Sequence, residues 1–430
     1  MEYLASDKIA IVDLDSRDIT EEELDEDLVL EKIGGVGITQ SLYDRFEGED
    51  PIVLGSGLLT GSLVPGSALS VMTAKSPLTG KVSHVPVVLD AGIEFKYSGF
   101  DYMVIKGTAQ KPVYLWIHDG IVDINDADEV WGKDVWAATD YIREFMGDDL
   151  IQVMGIGKAG EAGSPLATTC INYWQGGDRL GFGTLFGQKK LKLIGLRGMG
   201  LLEIAEPEDF VEDCLALISS IKSEPLKGKK GIAQMAVTLG GEDIEDWISP
   251  LIHRHMACFN TPFPTNSFVF LDEDPALLEE SKVNEPGMLL TDIHPLITLK
   301  KMGLSAKDAC QVLKECAKYG IDAAAVAELS EKAGTTALED MVKSFPELKG
   351  PVDSAGTSIF SPWAMVGNQD RDTWERRQAV SYILGIHPLF ALMTSELTEA
   401  KLLDLASLGT ELELTQETLD EVVAEVSGKS

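Results

Sequence analysis

Three side chains that can bind a metal ion lie close together in the second half of the chain. His253, His255 and Cys258 supply two imidazoles and one thiol in the order His-x-His-x2-Cys. Imidazole nitrogen and thiolate sulfur are donors that zinc takes in proteins. Two residues separated by one position share a face in a strand but not in a helix, so a metal site here requires a strand or a loop. No fourth donor follows nearby in the sequence, so a surface histidine pair is the favoured interpretation and a metal site is the alternative.

A glycine run at 155–160 has the spacing of a dinucleotide-binding turn. Gly155-x-Gly157-x-x-Gly160 follows the apolar stretch at 150–154, and in dinucleotide-binding folds such glycines lead from a strand into a helix. Here Ala162-Gly-Ser-Pro165 follows at once and interrupts the expected helix. The acid expected about 20 residues further on is matched in distance by Asp178, but no suitable strand ends there. A dinucleotide site is therefore the less favoured interpretation.

The scaffold that must position these residues changes character near residue 205. Upstream, short apolar runs recur with glycines between them, as strand-and-turn architecture requires. The runs at 113–117 and 121–124, joined by His118-Asp-Gly120, predict a hairpin. The other predicted strands are 8–13, 69–73, 102–106 and 191–195.

Downstream of residue 206 the pattern is helical. Pro207 suits the first position of a helix, and Phe210, Cys214, Leu217, Ile218 and Ile221 then recur on one face. Further helix signals are a capping-box-like start at Ser305 with an end at Gly320, a cap at Thr415, and a cap at His387, for which metal binding is the less favoured role. We predict two domains, a strand-rich one at 1–205 and a helical one at 206–430.

The composition excludes several classes of function. The formal net charge of −34 over 430 residues argues against binding to nucleic acid, which needs clustered cations, and against anionic membrane surfaces. No apolar stretch is long enough to cross a bilayer, and the N-terminus has no signal-peptide pattern. Five cysteines at irregular spacings do not form a disulfide framework. A reducing cytoplasm is the expected compartment.

Several longer runs carry a family resemblance. Lys75-Ser-Pro-Leu-Thr-Gly80, Glu94-Phe-Lys-Tyr-Ser-Gly99-Phe-Asp101 and Arg179-Leu-Gly-Phe-Gly183 resemble, in the same order, runs of the tungsten-containing aldehyde:ferredoxin oxidoreductases. The resemblance implies an α+β fold, with two β-sheets in the N-terminal domain followed by an α-helical domain. That helical domain looks trimmed here, with a block of the family's length missing around 326–350.

The resemblance also implies an iron–sulfur site, which this chain matches poorly. Cys258 and Pro262 stand where the family has the start of a C-x2-C-P-x2-C run, but Thr261 and Thr265 take the places of its other cysteines. Ser358 stands where the last cysteine is expected. A cubane cluster needs four thiolates, so we expect no 4Fe-4S cluster and interpret Cys258 as a relic ligand.

The cradle for the tungstopterin is altered in a similar way. The family's phosphate-binding arginine is Leu69 here, its serine- and glycine-rich run is 85–89, and an acid, Asp178, precedes Arg179. Proline and branched residues hinder close approach of the backbone to a phosphate. Residues that remain, and that the resemblance implies as residual pterin or phosphate contacts, are Arg179, Gly181, Gly183 and Asp353.

These substitutions lead to a functional expectation with alternatives. The leading hypothesis is a family member that has lost its cluster and its tungstopterin and acts as an accessory or scaffold subunit, in a homo-oligomer or in a complex with redox-protein subunits. One alternative is an active tungsten or molybdenum pterin oxidoreductase of aldehydes or related oxo compounds, with a reduced cofactor set. Another is a protein that binds a small molecule or phosphate on the old pterin surface. No catalytic acid or base is assigned.

Overall fold

The structure is a computed structural model that describes residues 3–224, 230–271, 287–334, 336, 359–360 and 370–428. Asp353, Ser358 and most of the shortened block predicted at 326–350 lie outside the described residues. The domain boundary near residue 205 stays a prediction.

The first sheet of the N-terminal half has six strands in the order β2-β1-β6-β3-β4-β5. The pair β1 and β6 is parallel and the other neighbours are antiparallel. The strands are β1 Lys8–Asp13, β2 Asp18–Glu23, β3 Ile52–Ser56, β4 Ser70–Lys75, β5 Val82–Val87 and β6 Tyr102–Lys106.

The second sheet also has six strands, in the order β11-β10-β9-β12-β7-β8, with β7 and β12 parallel. Its strands are β7 Val113–His118, β8 Ile121–Asp126, β9 Gln152–Gly155, β10 Cys170–Ile171, β11 Trp174–Gln175 and β12 Leu191–Arg197. The predicted hairpin is the pair β7 and β8, in which His118 pairs with Ile121.

Both faces of the first sheet are buried, because successive side chains along its inner strands enter two different hydrophobic cores. Ala10 and Val12 of β1 pack toward the second sheet, with Leu115 and Ile194 in the same cluster. Ile9 and Ile11 lie in a separate and larger cluster that includes the helices. A period of two along a strand places alternate side chains on opposite faces. The first sheet is therefore the middle layer between the second sheet and the helices.

The helices of the N-terminal half connect and cover these sheets. They are α1 Glu26–Lys32, α2 Gly35–Phe46, α3 Ala91–Tyr97, α4 Val135–Met146, α5 Lys158–Glu161 and α6 Phe182–Gln188. The run Gly155-x-Gly157-x-x-Gly160 opens α5, which has only four residues. A side chain at Gly160 would come within 2.7 Å of the Gly183 carbonyl oxygen of α6. These glycines therefore allow α5 and α6 to pack closely.

The C-terminal half is mainly helical, as predicted. Its described helices are α7 Pro207–Ser223, α8 Gly231–Gly240, α9 Glu245–Ile248, α10 Ile293–Lys301, α11 Ala306–Tyr319, α12 Ala323–Ala333, α13 Arg371–Leu384, α14 Pro388–Met393, α15 Glu399–Thr410 and α16 Gln416–Val426. The side chains of Ser305, His387 and Thr415 accept hydrogen bonds at the N-termini of α11, α14 and α16. These three predicted caps are confirmed.

A third sheet, absent from our predictions, lies within this helical half. It is antiparallel and contains β13 Ile252–Met256, β14 Asn266–Phe270 and β15 Gly287–Leu290. The α+β fold with two N-terminal sheets is confirmed, and the helical half has this small sheet in addition. Among the described residues, no helix has both the length and the apolar character needed to span a membrane.

Candidate functional site

The loop between β3 and β4 is bound along its length by a segment from the C-terminal half. This loop, residues 57–69, contains Leu69, at the place where the family resemblance implies a phosphate-binding arginine. Four backbone hydrogen bonds join it to residues 383–387. They are Leu58 N to Ile383 O at 3.3 Å, Leu59 N to Leu384 O at 2.9 Å, Leu69 N to Gly385 O at 3.0 Å and His387 N to Gly66 O at 2.8 Å. The amide of Leu69 therefore already donates its hydrogen bond to a carbonyl of the protein.

The two segments approach each other as closely as glycine allows. A Cβ atom at Gly57 would lie 2.1 Å from the Gly385 backbone nitrogen, which no side chain can tolerate. Gly385 has a φ of 85°, in the left-handed region that glycine enters at no steric cost. Leu69 is fully buried between them. This leaves no space for a phosphate between the loop and residues 383–387.

The N–H groups ahead of α6 converge on an internal carboxylate. The Asp178 side chain accepts hydrogen bonds from the backbone amides of Thr169 at 2.8 Å, Leu180 at 3.1 Å, Phe182 at 3.3 Å and Gly183 at 3.2 Å. The Thr169 hydroxyl donates a fifth at 3.2 Å. Backbone N–H groups arranged in this way form a concave site for an anion. We call Asp178 and these five donors the Asp178 nest.

Burial affects the charge state of this carboxylate. Asp178 is almost fully inaccessible to solvent. Burial raises the pKa of its carboxyl to about 6, and the hydrogen bonds from the nest oppose that rise. The carboxylate is therefore the anionic form near neutral pH, and the nest already holds a negative group.

Gly181 and Gly183, both predicted cofactor contacts, lie in this loop and permit close packing. Gly181 has a φ of 80°, and a side chain there would come within 2.8 Å of the Pro165 carbonyl oxygen. At Gly183 a side chain would come within 2.7 Å of the Thr168 backbone. The Ser76 hydroxyl donates to the Leu180 carbonyl at 2.7 Å. The two runs that resemble the family's cofactor loops thus contact each other directly.

Arg179, the predicted phosphate contact, points into a buried group of acids from the helical half. Its Nη1 lies 2.6 Å from Nδ1 of His294, and its Nε and Nη2 lie 3.4 Å from carboxylate oxygens of Asp322 and Glu328. The His294 Nε2 lies 3.2 Å from Glu328 in turn. Burial, and next the charge of Arg179, lower the pKa of His294 to about 3. His294 is therefore neutral, and the arginine is compensated by carboxylates.

Asp292 lies beside this group and adds another acid. Its side chain accepts from the His294 backbone amide at 2.9 Å and caps the N-terminus of α10. Burial raises the pKa of Asp292 to about 6, and the nearby Arg179 opposes that rise. The surroundings of Arg179 are thus rich in negative charge, which disfavours a dianionic phosphate there.

Cys258 is buried, and its thiol lies beside two neutral polar side chains. Its sulfur lies 3.9 Å from Thr265 Oγ1 and 3.6 Å from Asn266 Nδ2. Burial raises the pKa of the Cys258 thiol to about 11. The Thr261 hydroxyl, at the second ligand position, donates to the Cys258 carbonyl at 2.7 Å. One thiol with threonines at the two neighbouring ligand positions does not fit a cubane cluster, which needs four thiolates.

The histidine pair lies on a strand, β13, as a metal site would require. The His253 ring stacks on Phe270 with centroids 4.0 Å apart, and His255 Nδ1 lies 3.0 Å from the Ser267 hydroxyl. Within the described parts of the chain, no group of three or more His, Cys, Asp or Glu side chains is arranged to hold a metal ion. The structure therefore does not bring His253, His255 and Cys258 together as ligands.

Sequence reasoning missed two features of this region. The docking of residues 383–387 on the β3–β4 loop uses backbone groups, and its only trace is Gly385 followed by His387-Pro388. The partners of Arg179 come from α10 and α12, whose pairing with this loop has no local signal. The acid at 178, in contrast, was visible as a departure from the family's run.

The N-terminal half matches a known family. Residues 9–198 match the family model of the aldehyde ferredoxin oxidoreductase N-terminal domain. This part of the chain is an aldehyde ferredoxin oxidoreductase N-terminal domain, which confirms the family resemblance of the motifs.

Two relatives show how far this match extends. A tungsten-containing aldehyde ferredoxin oxidoreductase of Pyrococcus abyssi is 35% identical over 229 residues, which cover 51% of this chain and 38% of the relative. The WOR-like subunit of an aliphatic sulfonate oxidoreductase of Pyrococcus furiosus is 30% identical over 223 residues, covering 46% and 35%. The matches therefore span well under half the length of these relatives.

A solved structure extends the likeness of the fold into the helical half. The active site complex BamBC of benzoyl coenzyme A reductase, in complex with 1,5-dienoyl-CoA, superposes with a TM-score of 0.66 and covers 82% of this chain and 59% of its own. At 22% sequence identity this likeness concerns the fold alone.

Proposed function

We propose that this protein is an accessory or scaffold subunit of a redox complex and carries neither a 4Fe-4S cluster nor a tungstopterin of its own. The Asp178 nest carries the proposal. An internal carboxylate accepts five hydrogen bonds from the donors that could otherwise bind a phosphate. A phosphate would have to displace this carboxylate and would meet its charge if it did not.

Two further observations support the same proposal. Residues 383–387 occupy the β3–β4 loop, so its amides offer no second phosphate site. Cys258 is one thiol where a cluster needs four thiolates, and threonines stand at the two neighbouring ligand positions. The described residues therefore do not fit either group that the family name implies, and we derive no reaction step through them.

The partners are part of the proposal. A WOR-like subunit of an aliphatic sulfonate oxidoreductase is among the relatives, so a family member can serve as one subunit of a larger enzyme. We infer that this chain acts in such a setting, either as a homo-oligomer or beside subunits that carry redox groups.

Analysis of the purified protein for metals and pterin tests this proposal. The full chain is isolated without oxygen from its native host, and iron, tungsten and molybdenum are quantified per chain together with pterin by mass spectrometry. We expect substoichiometric amounts of all four. Stoichiometric tungsten or molybdenum with pterin would overturn the proposal and favour an active pterin oxidoreductase with a reduced cofactor set. Four irons per chain would contradict the loss of the cluster.

A further inference from the structure

Helix α7 exposes two large apolar side chains among its charged residues, although its inner face is already packed on the core. Phe210, Cys214 and Leu217 are buried against the core. On the flank next to this buried face, Val211 is 40% exposed and Leu215 is 55% exposed. Residues four apart in a helix lie one turn above each other, so these two side chains form one continuous apolar strip.

This strip lines a surface depression with a volume of about 580 Å³. Its lining residues are Pro207, Glu208, Val211, Glu212 and Leu215. They span two turns of one helix, which is the length of surface that a second helix covers when ridges pack into grooves. We call these five residues the α7 groove.

The rim of the α7 groove is acidic. Residues 206–215 contain Glu206, Glu208, Asp209, Glu212 and Asp213 and no basic residue. Asp213 is paired with Lys401 at 2.7 Å. A neighbouring depression of about 570 Å³, between α7 and α15, is lined by Glu206, Asp213, Asp404 and Glu411, with Ser407 and Leu408. None of the described residues that line either depression is a lysine or an arginine.

We propose that the α7 groove docks a helix of a partner protein, one that presents an apolar strip flanked by lysine or arginine side chains. The apolar strip supplies the area that gains from burial, and the carboxylate rim selects a partner of opposite charge and speeds the encounter. This inference rests on the proposed function, because it names the kind of partner that an accessory subunit would hold.

A second copy of this chain fits the groove poorly. A symmetric dimer places the same patch on both sides of the interface. Glu208 and Glu212 of one copy would then approach the same acids of the other, and like charges across an interface disfavour binding. The leucines in and just after α15 do not offer a different apolar face, since Leu402, Leu405 and Leu412 are buried.

A peptide-binding experiment on the full chain tests the proposal. The probe is a fluorescent helical peptide with leucines at i, i+4 and i+8 flanked by lysines, and the control probe has glutamates in place of the lysines. We expect the lysine peptide to bind and the glutamate peptide not to bind. Binding should weaken steeply as salt is raised, because salt screens exposed charges.

Matched variants place the binding on the groove. Leu215→Ser should weaken binding about tenfold or more, as expected when a buried leucine contact is lost. Leu150→Ser removes a leucine of similar exposure, 62% against 55%, outside the groove and should leave binding unchanged. Glu208→Gln with Glu212→Gln should reduce the dependence on salt. All these positions are exposed, and unchanged thermal melting confirms that each variant folds.

Three outcomes would overturn the proposal. The first is equal binding by the wild type and Leu215→Ser, and the second is equal binding of both peptides. The third is self-association in sedimentation that Leu215→Ser abolishes, which would assign the groove to a second copy. The metal and pterin analysis measures cofactor content, which is independent of peptide binding. Stoichiometric tungsten together with peptide binding would therefore reject the proposed function and leave the docking proposal standing. A protein with neither tungsten nor peptide binding would reject the docking proposal and leave the proposed function standing.

Discussion

Arg179 Nη1 lies 2.6 Å from His294 Nδ1, and this contact joins the glycine-containing loop of the N-terminal half to helix α10 of the helical half. The neutral imidazole accepts from the guanidinium on one side, and its other nitrogen faces Glu328. The arginine supplies positive charge to a group of acids formed by Asp292, Asp322 and Glu328. Its structural role is to neutralise acids that meet where the two halves pack together.

Replacing Arg179 with methionine should destabilise the protein severely. The substitution keeps much of the side-chain volume but leaves Asp322 and Glu328 without their cation, and removing one partner of a buried ion pair costs about 3–5 kcal/mol. Chemical denaturation at neutral pH measures this loss. Arg45→Met is the matched control, because Arg45 pairs with Glu22 at an exposed site where such a pair contributes about 1 kcal/mol or less. A similar loss for both variants would contradict the role given to Arg179.

The pH dependence of stability should contain a contribution from Asp292. Its pKa is raised by burial to about 6 in the folded protein, above the ordinary value of 3.8. The folded state therefore binds this proton more tightly than the unfolded state. The resulting stability is complete below pH 3.8 and is lost as the pH rises through about 6.

Asp292→Asn isolates this contribution, because asparagine also caps helices well but does not titrate. Between about pH 5 and pH 7 the wild type should lose about 1 kcal/mol more stability than the variant. Urea unfolding at several pH values provides the comparison. Identical pH profiles for the two proteins would show that Asp292 does not titrate in this range.

A methyl group at position 57 should disrupt the docking of residues 383–387. The Cβ of Gly57→Ala would lie 2.1 Å from the Gly385 nitrogen, so the two segments must separate, and overpacking of this kind costs about 1–3 kcal/mol. Gly48→Ala is the control, since a Cβ there has no neighbour within 4 Å. The unfolding free energies of both variants are measured in urea. An unchanged Gly57→Ala protein would mean that this contact is loose in solution.

Removing the Asp178 carboxylate should open the nest to an external anion. Asp178→Gly frees the amides of Leu180, Phe182 and Gly183, and convergent N–H groups favour phosphate. We expect inorganic phosphate, titrated at constant ionic strength, to raise the melting temperature of the variant more than that of the wild type. Asp178→Asn fills the same volume without the charge and serves as the comparison. An equal phosphate response in all three proteins would contradict the filled nest.

Much of the fold was predictable from local signals in the sequence. The features that were not predicted depend on pairing between distant segments. Ser305 and Thr415 cap helices through side chains within three residues of their partners, so the sequence alone identifies them. Phe210 and Cys214 fall on the buried face of α7 because helical periodicity is also local. The third sheet was missed because β13 is rich in charged and histidine side chains rather than alternating apolar ones.

In the candidate site, too, unusual residues could be recognised in the sequence but their distant partners could not. Leu69 and Asp178 could be recognised as departures from the family's runs, which correctly drew attention to the two loops that resemble its cradle. The partner of Leu69 and the ion-pair partner of Arg179 could not be predicted, since Gly385 and Asp322 lie far along the chain and make these contacts only after both halves have packed. Backbone hydrogen bonds and buried ion pairs between distant segments leave no pattern in the sequence.

The docking of residues 383–387 on the β3–β4 loop also sets an order of events during synthesis. The amide of Leu69 emerges from the ribosome long before the carbonyl of Gly385 exists to accept from it. Until then the nascent N-terminal half must present an open loop, and helix α2 lacks the C-terminal helices α13 and α16 that later pack on it. Contacts between such distant positions form late and slow folding, so the unfinished chain is the state most exposed to chaperones and to aggregation.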